Sequence, residues 1–346
     1  MAVSTRIIRR RIKSIGNTKK ITKAMELVSA SKMRRAVNAV LGTRPYATLG
    51  WETVAELAKV TETGLHPLLR QPEAVRRVLT IFVTSDRGLC GGFNAQMAKK
   101  VVEFVKKAEL WSGKSSALNQ SEAKLLPQAQ HKSLALIDFV TIGKKGTDLA
   151  RRLGWNIVAT FVNLSNNPTI IEVRPIATLA ITDFTAQKYD AVYLAYTDFV
   201  SSIRQISNIK QLLPLTKDTM LGEVRQLDRH PERSEGSPTN VGAAHSREIL
   251  RSAQNDKTKF SYDYIFEPTP QEVLDMMLPR LVETQIYQAI LESSASEHSA
   301  RMVAMKNASD AARDMIDDLT FTFNQARQAT ITREIAEISA GKAALE

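Results

Sequence analysis

The last quarter of this chain constrains it most. From Arg280 to Ala340 there is neither Gly nor Pro, and at about 1.5 Å per residue such a run makes roughly 90 Å of helix. That exceeds an ordinary domain diameter, so the helix must leave the body and pair with something equally long. Along it Met302, Met305, Ser309, Ala312, Ile316, Leu319, Phe323, Ala326 and Thr330 recur at alternating steps of three and four. This 3.5-residue repeat predicts a left-handed coiled coil, and its small members permit close approach of the partner.

Within the chain only the N-terminal segment qualifies as that partner. Ser4 to Leu41 contains no Pro and one Gly, Gly16, with apolar residues at Ile8, Ile12, Ile15, Ile21, Met25 and Val28 that predict a narrow apolar stripe. A break is expected at "GTRPY", after which "WETVAELAKV" resumes as helix until "GLHPLLRQP" ends it. Between the two long helices lie short β-rich runs alternating with helical ones: "VLTIFVTS", "AQMAKKVVEFVKK", "IDFVTIG", "KKGTDLARRLG", "NIVATFV", "IATLAITDFTAQ" and "DAVYLAYTDF". That alternation predicts an α/β layer with a largely parallel sheet. The expected fold is therefore an α/β domain plus a long antiparallel α-helical coiled coil formed by the N- and C-terminal helices. The shaft spans 1–60 and 268–346, and a Rossmann-like domain spans 75–227 and 260–267.

Two polar stretches stand apart. "WSGKSSALNQSEAKLLPQAQHKS" reads as a loop or lid. Residues 228–259 have almost no large apolar side chains and are rich in charge, Ser, Gly and Pro, which predicts a solvated, mobile insertion.

Charge and composition narrow the function. Of a formal net charge of +11, nearly all falls between Met1 and Arg35, where eleven Lys and Arg face Glu26 alone. Such a helix needs an anionic neighbour. Aromatic residues are missing from the first 45 positions, so base stacking has no support, and the apolar stripe is engaged by the coiled coil. An acidic protein surface fits best. The lone Cys90 excludes an intrachain disulfide, and no apolar run approaches the roughly 18 to 20 residues that span a bilayer.

The stretch "TSDRGLCGGFN", Thr84 to Asn94, follows a strand and opens a helix, an arrangement that often cradles phosphate. A P-loop needs a Lys and a hydroxyl after its last Gly, and this turn has neither. "TIGKKGTD" also fails, with Asp138 in place of the first Gly and Lys145 in place of Ser or Thr. Gly88, Gly91 and Gly92 then supply permissive backbone for a tight structural turn, with Asp86 and Arg87 as an ordinary turn pair. The histidines His66, His131, His230, His245 and His298 show no metal-ligand spacing, Cys90 has no evident base, and Asp317 and Asp318 fall on a solvated face. No catalytic, cofactor or metal site is expected.

"RRIKSIGNTKKITKAMELVSASKMRRA", "TSDRGLCGGFN" and "ESSASEHSARMVAMKNASDAARDMIDDLTFTFNQARQATITREIAEI" together resemble the gamma subunit of the F-type ATP synthases, in the family's order and over most of the chain outside the insertion. The resemblance implies a rotor: a coiled coil turning inside a ring of alpha and beta subunits, whose lower domain meets the epsilon subunit and the c-ring, while nucleotides bind on alpha and beta. It implies that Lys20, Lys23 and Met25 meet acidic loops of the beta subunits. It also implies that Arg327, Gln328, Thr332 and Glu334 form a bearing contact with beta. Near the end the family usually reads G-A-A, whereas Lys342 follows Gly341 here. The insertion lacks Cys and so is not the redox switch of photosynthetic relatives. The basic segment belongs to the family's mature helix, so no presequence is expected. The implied location is the cytoplasmic face of a bacterial plasma membrane, peripheral, with no nucleic-acid partner. A coiled-coil nucleic-acid scaffold, resting on charge alone, and an autonomous nucleotide-binding enzyme, resting on the glycine turn alone, are the rival readings.

Overall fold

The computed structural model describes residues 5–60, 66–72, 75–111, 136–164, 168–215 and 269–343. In chain order the elements are α1 (Thr5–Val60), β1 (Arg77–Val83), α2 (Phe93–Trp111), β2 (Leu136–Ile142), α3 (Lys144–Arg152), β3 (Asn156–Phe161), α4 (Ile170–Thr185), β4 (Ala191–Phe199), β5 (Gln205–Leu213) and α5 (Pro270–Ala343). The polar stretch expected as a lid and the insertion 228–259 lie outside the described residues.

Helices α1 and α5, roughly 85 and 110 Å long by their residue counts, run antiparallel. At one end the Arg9 guanidinium lies over the Phe323 ring, 5.3 Å from its centroid. At the other, Gly50 sits so close to Leu281 that an added Cβ would fall 2.5 Å from a leucine methyl. The expected seam of α5 is buried or half-buried from Met302 through Ala326, while Thr330 is exposed. Among the described residues the last pairing is therefore at Ala326, and α5 continues beyond it.

The seam of α1 differs from expectation. Thr5, Ile8, Ile12, Ile15, Lys19, Thr22, Glu26, Ser29, Met33, Ala36, Val40, Thr43, Ala47 and Gly50 are all buried or half-buried and form an unbroken alternation of three and four, with Met25 and other half-buried residues flanking it. Ile21 and Val28, expected in the stripe, are 60 % and 56 % exposed. The physical reason is phase. The repeat set by Ile8, Ile12 and Ile15 continues to Lys19, Thr22 and Ser29, and the register fixed by Arg9 with Phe323 sets Ser309 and Ala312 of α5 level with Lys19 and Thr22, small enough to accept polar partners. The expected break at "GTRPY" is also absent, because α1 passes through Gly42 and Pro45. An interior proline costs about 3 kcal/mol. Burial of Val40 and Ala47 against α5 on either side of it offsets that cost.

The sheet has the order β3-β2-β1-β4-β5. The first four strands pair in parallel, as expected, and β5 joins β4 antiparallel. The sequence reading missed β5. In the central β1, six of the seven residues are buried because both faces are covered. Leu79, Ile81 and Val83 point into the larger core with α4 and α5. Phe82 points the other way, to Met97 and Val101 of α2 and to Phe139. Thus α2 and α3 cover one face of the sheet, and α4 with the lower half of α5 covers the other.

Candidate functional site

The β1–α2 turn, Thr84 to Gly92, lies at the carboxyl end of the central strand. In a doubly wound sheet a ligand would enter there, at the point between β1 and β4 where strand order reverses. Helix α5 covers that point, and on its β2 side the turn packs on the chain's own atoms. The Thr84 hydroxyl donates to the Ile142 carbonyl (2.9 Å) and accepts from the Gly146 amide (2.8 Å). One Asp86 carboxylate oxygen accepts from the Lys144 amide (3.2 Å), the first of α3, and the other accepts from the Asn163 amide (2.9 Å). The Lys145 amide donates to the Ser85 carbonyl (3.1 Å). The positive end of α3, where an external phosphate would bind, already holds a carboxylate and a carbonyl.

The glycines follow from this packing. Gly143 has φ +93°, and a Cβ there would collide with the Thr84 carbonyl oxygen. Gly146 has no room for one either, with Thr84 Oγ1 2.6 Å from its position. Of Gly88, Gly91 and Gly92, only Gly91 adopts a left-handed backbone, φ +55°, and it faces Ala300 and Ala304 of α5. Leu89 takes φ 64° without being glycine, so the turn depends less on glycine freedom than its sequence suggests.

Over the turn lies α5. The Ser293 hydroxyl accepts from the Thr197 amide (3.3 Å), Ser296 donates to the Thr197 carbonyl (3.3 Å), and Ser299 donates to the Ser202 carbonyl (2.5 Å). Arg301 reaches the turn itself. Its Nε and Nη2 donate to the Gly88 carbonyl and its Nη2 to the Arg87 carbonyl, all at 3.3 Å. Nη2 also pairs with Glu297 at 2.7 Å, and Nη1 meets His298 Nδ1 at 3.2 Å. What remains between Val83, Thr84, Phe93, Ile142, Ile290, Ser293, Ser294 and Glu297 is a cavity of about 10 Å³, room for one water and not for a nucleotide. A second tie joins α4 to α5, where Arg174 and Arg280 both pair with the buried Glu283 at 3.0 and 3.3 Å.

The other expected residues fall as follows. Cys90 is buried, with its sulfur 3.2 Å from Asn94 Nδ2. Among the described residues no cluster of His, Cys, Asp or Glu is suited to a metal, and no helix is long and apolar enough to cross a membrane. His66 accepts from the Leu68 amide at Nδ1 (3.0 Å) and lies 3.2 Å from Asp275 at Nε2. Burial pushes its imidazole below the usual range, with Asp275 opposing. Burial and the hydrogen bond to Asp138 (2.8 Å) raise the Tyr189 phenol far above its ordinary value.

Lys20 and Lys23 are exposed on α1, Lys23 pairing with Glu26 at 3.0 Å, and Met25 is half-buried. Arg327, Gln328, Thr332 and Glu334 are all exposed on α5 past its last seam residue. Since Arg9 is level with Phe323, Lys20 lies about 22 Å along the shaft from Arg327. The two sets are separate stations. Sequence reasoning missed Glu297, His298 and Arg301. Their signal was a charged triplet in the otherwise small "SSASEHSARM", on a stretch too buried all round to be an exposed face.

Comparison with known proteins bears on this arrangement. The family model described as ATP synthase matches residues 4–345. The chain is 40 % identical over 349 residues to the ATP synthase gamma chain of Herpetosiphon aurantiacus, covering 99 % of each. It is 40 % identical over 344 residues to that of Chloroflexus aurantiacus, again covering 99 % of each. Its fold resembles a chain in the central stalk and c-ring structure of the Tetrahymena thermophila mitochondrial ATP synthase, with TM-score 0.51 and 23 % identity over 84 % of this chain and 99 % of that one. It also resembles a chain of the Euglena gracilis mitochondrial ATP synthase, with TM-score 0.55 and 16 % identity over 99 % and 94 %.

Proposed function

This chain belongs to the ATP synthase gamma-chain family, and we propose that it is the central rotor of an F-type ATP synthase, coupling proton-driven rotation of a c-ring to the conformational cycling of catalytic sites on the beta subunits. It contributes no active site of its own. The observation that carries this reading is the closure of the nucleotide position by α5. There the α3 amides are taken by Asp86 and the Ser85 carbonyl, and α5 is tied to the body by Arg301 at the turn and, five helical turns earlier, by Glu283 to α4. A part that must pass torque between a body and an axle needs such ties, and a nucleotide enzyme needs that space open.

In this reading the shaft, 1–60 and 268–346, turns within the alpha and beta subunits. The domain comprising 75–227 and 260–267 meets the epsilon subunit and the c-ring. Lys20, Lys23 and Met25 meet acidic loops of beta, and Arg327, Gln328, Thr332 and Glu334 form a second bearing higher on the shaft. The exposure of all but the half-buried Met25 suits both roles, and the distance between the stations lets each bear on a different level of the ring. A charge-assisted contact at either one contributes about 1 to 3 kcal/mol, enough to bias one rotor orientation without locking it. The proposed location is peripheral, on the cytoplasmic face of a bacterial plasma membrane.

Co-purification of the tagged chain from its native membranes tests the reading. Recovery of an alpha-beta hexamer whose ATP-driven proton pumping requires the chain is the expected result. Recovery of the chain alone, or bound to nucleic acid, would overturn it.

A further inference from the structure

Outside its first helix the chain is close to neutral in sum, but the structure segregates that charge. Helix α2 carries Lys99-Lys100 and Lys106-Lys107, and α3 carries Lys144-Lys145 and Arg151-Arg152. In each helix two dibasic pairs stand seven residues apart, which is two turns and about 10.5 Å along the same face. All eight side chains are exposed. The inward faces of these helices are fixed by Met97 and Val101 of α2 and by Ala150 of α3, so the pairs point away from the sheet. The two helices lie side by side on the sheet face opposite α4 and α5. Only Glu103 and Asp148 oppose this charge among the described side chains of α2 and α3, and none of the eight cations forms an ion pair with another described residue. On the other sheet face, α4 carries Arg174 against Glu172 and Asp183, so the enrichment belongs to one side of the body.

We propose that this grid of four dibasic pairs on α2 and α3 is the docking surface for an acidic protein face whose Asp and Glu side chains repeat at about the same 10 Å spacing. Eight uncompensated cations on adjacent helices repel one another, and a partner that neutralises them relieves that repulsion, most strongly at low salt. A protein is favoured over an anionic bilayer for two reasons. Register between pairs is useful only to a partner with fixed charges. The face also lacks an apolar anchor among the described side chains, where Leu153 at the end of α3 is the one exposed large hydrophobic residue of the two helices and their ends. Nucleic acid is disfavoured by the absence of an exposed aromatic among the described residues of the two helices. Because the surface lies across the sheet from the shaft, its partner is distinct from whatever encloses α1 and α5.

The test uses the complex purified from native membranes beside the isolated full chain. Both are treated with an amine-acetylating reagent, and the complex also with a zero-length carbodiimide cross-linker. Acetylation of Lys99, Lys100, Lys106, Lys107, Lys144 and Lys145 about tenfold slower in the complex, with cross-links from them to Asp or Glu of another chain, is the expected result. Equal reactivity in both samples, or protection that disappears on delipidation while every subunit remains, would overturn the proposal. A variant with Lys144→Gln, Lys145→Gln, Arg151→Gln and Arg152→Gln leaves the buried face of α3 intact, and is expected to release the cross-linked partner at lower salt than the unaltered chain. Retention at the same salt would count against the surface. Failure of the chain to co-purify with alpha and beta subunits sinks the rotor reading instead, and is read from a different band of the same preparation.

Discussion

Arg301 of the shaft and Gly88 of the β1–α2 turn, 213 positions apart in the chain, are joined by two donors on one acceptor, with Nε and Nη2 both 3.3 Å from the Gly88 carbonyl oxygen. The guanidinium side chain is 10 % exposed and its carboxylate partner Glu297 only 4 %. Arg301→Met keeps the stem but removes the charge from beside a buried carboxylate, a loss of about 3 to 5 kcal/mol. Calorimetry is expected to show a lower Tm. In the assembled enzyme ATP hydrolysis is expected to persist while proton pumping per ATP falls, because the body is no longer tied to the shaft at the turn. Arg301→Lys, which keeps the charge and loses the fork, is expected to lie between.

Two glycines separate crowding from mere sequence. Gly143→Ala places a methyl against the Thr84 carbonyl at a left-handed backbone, whereas Gly88→Ala meets nothing within 4 Å. Gly143→Ala is expected to cost about 2 kcal/mol or more, and Gly88→Ala less than about 0.5 kcal/mol. Denaturant unfolding of the two variants decides it. Equal losses would mean that the two turns do not pack as described.

The phase of α1 is open to a paired substitution. Ile8 is 3 % exposed and Ile21 is 60 % exposed. Ile8→Ala is expected to destabilise by about 2 to 4 kcal/mol and Ile21→Ala by less than about 0.5 kcal/mol in the isolated chain. The reverse order would restore the stripe through Ile21 and Val28.

His66 gives the foot of the shaft a pH dependence. Its folded pKa lies below the ordinary 6.5 because burial outweighs Asp275, so as pH falls the unfolded chain takes up the proton first. The stabilisation is fully present above about 6.5 and declines as pH drops toward the folded value. Protonation also turns Nδ1 into a donor and ends its bond from the Leu68 amide. Thermal unfolding is expected to show a lower Tm on acidification from pH 7 to about pH 5. In His66→Gln that slope is expected to flatten, and an unchanged slope would assign the acid sensitivity elsewhere.

These residues show what the sequence made legible. The α5 seam from Met305 to Ala326 could be read because its small and apolar side chains contrast with charged neighbours up to Asp318 and with polar ones beyond it. The α1 seam could not, since Lys19, Thr22 and Ser29 look like surface residues until a helix of serines and alanines is set against them. The turn was readable as not binding nucleotide, from the Lys and hydroxyl it lacks. Its true occupant was not, because the pairing of Arg301 with two backbone carbonyls leaves no trace in the identity of the residues that own them. Strand β5 was missed for a related reason. Its residues are mostly half-buried and mix Gln, Ser, Asn and Lys with Ile and Leu, so the alternation of a strand is blurred.

The antiparallel pairing also sets a timetable. Thr5 sits at one end of the α1 seam and Ala326 at the matching end of α5, so α1 leaves the ribosome long before the helix it pairs with. At about 5 to 20 residues per second, roughly 320 residues of synthesis leave α1 waiting for about 16 to 64 seconds. A nascent helix with an all-leucine seam would spend that interval exposing a continuous greasy stripe to every other unfinished chain. Lys19, Thr22, Glu26 and Ser29 interrupt it, so the mild seam that gives the finished shaft less apolar burial also keeps its first half soluble until the second half arrives.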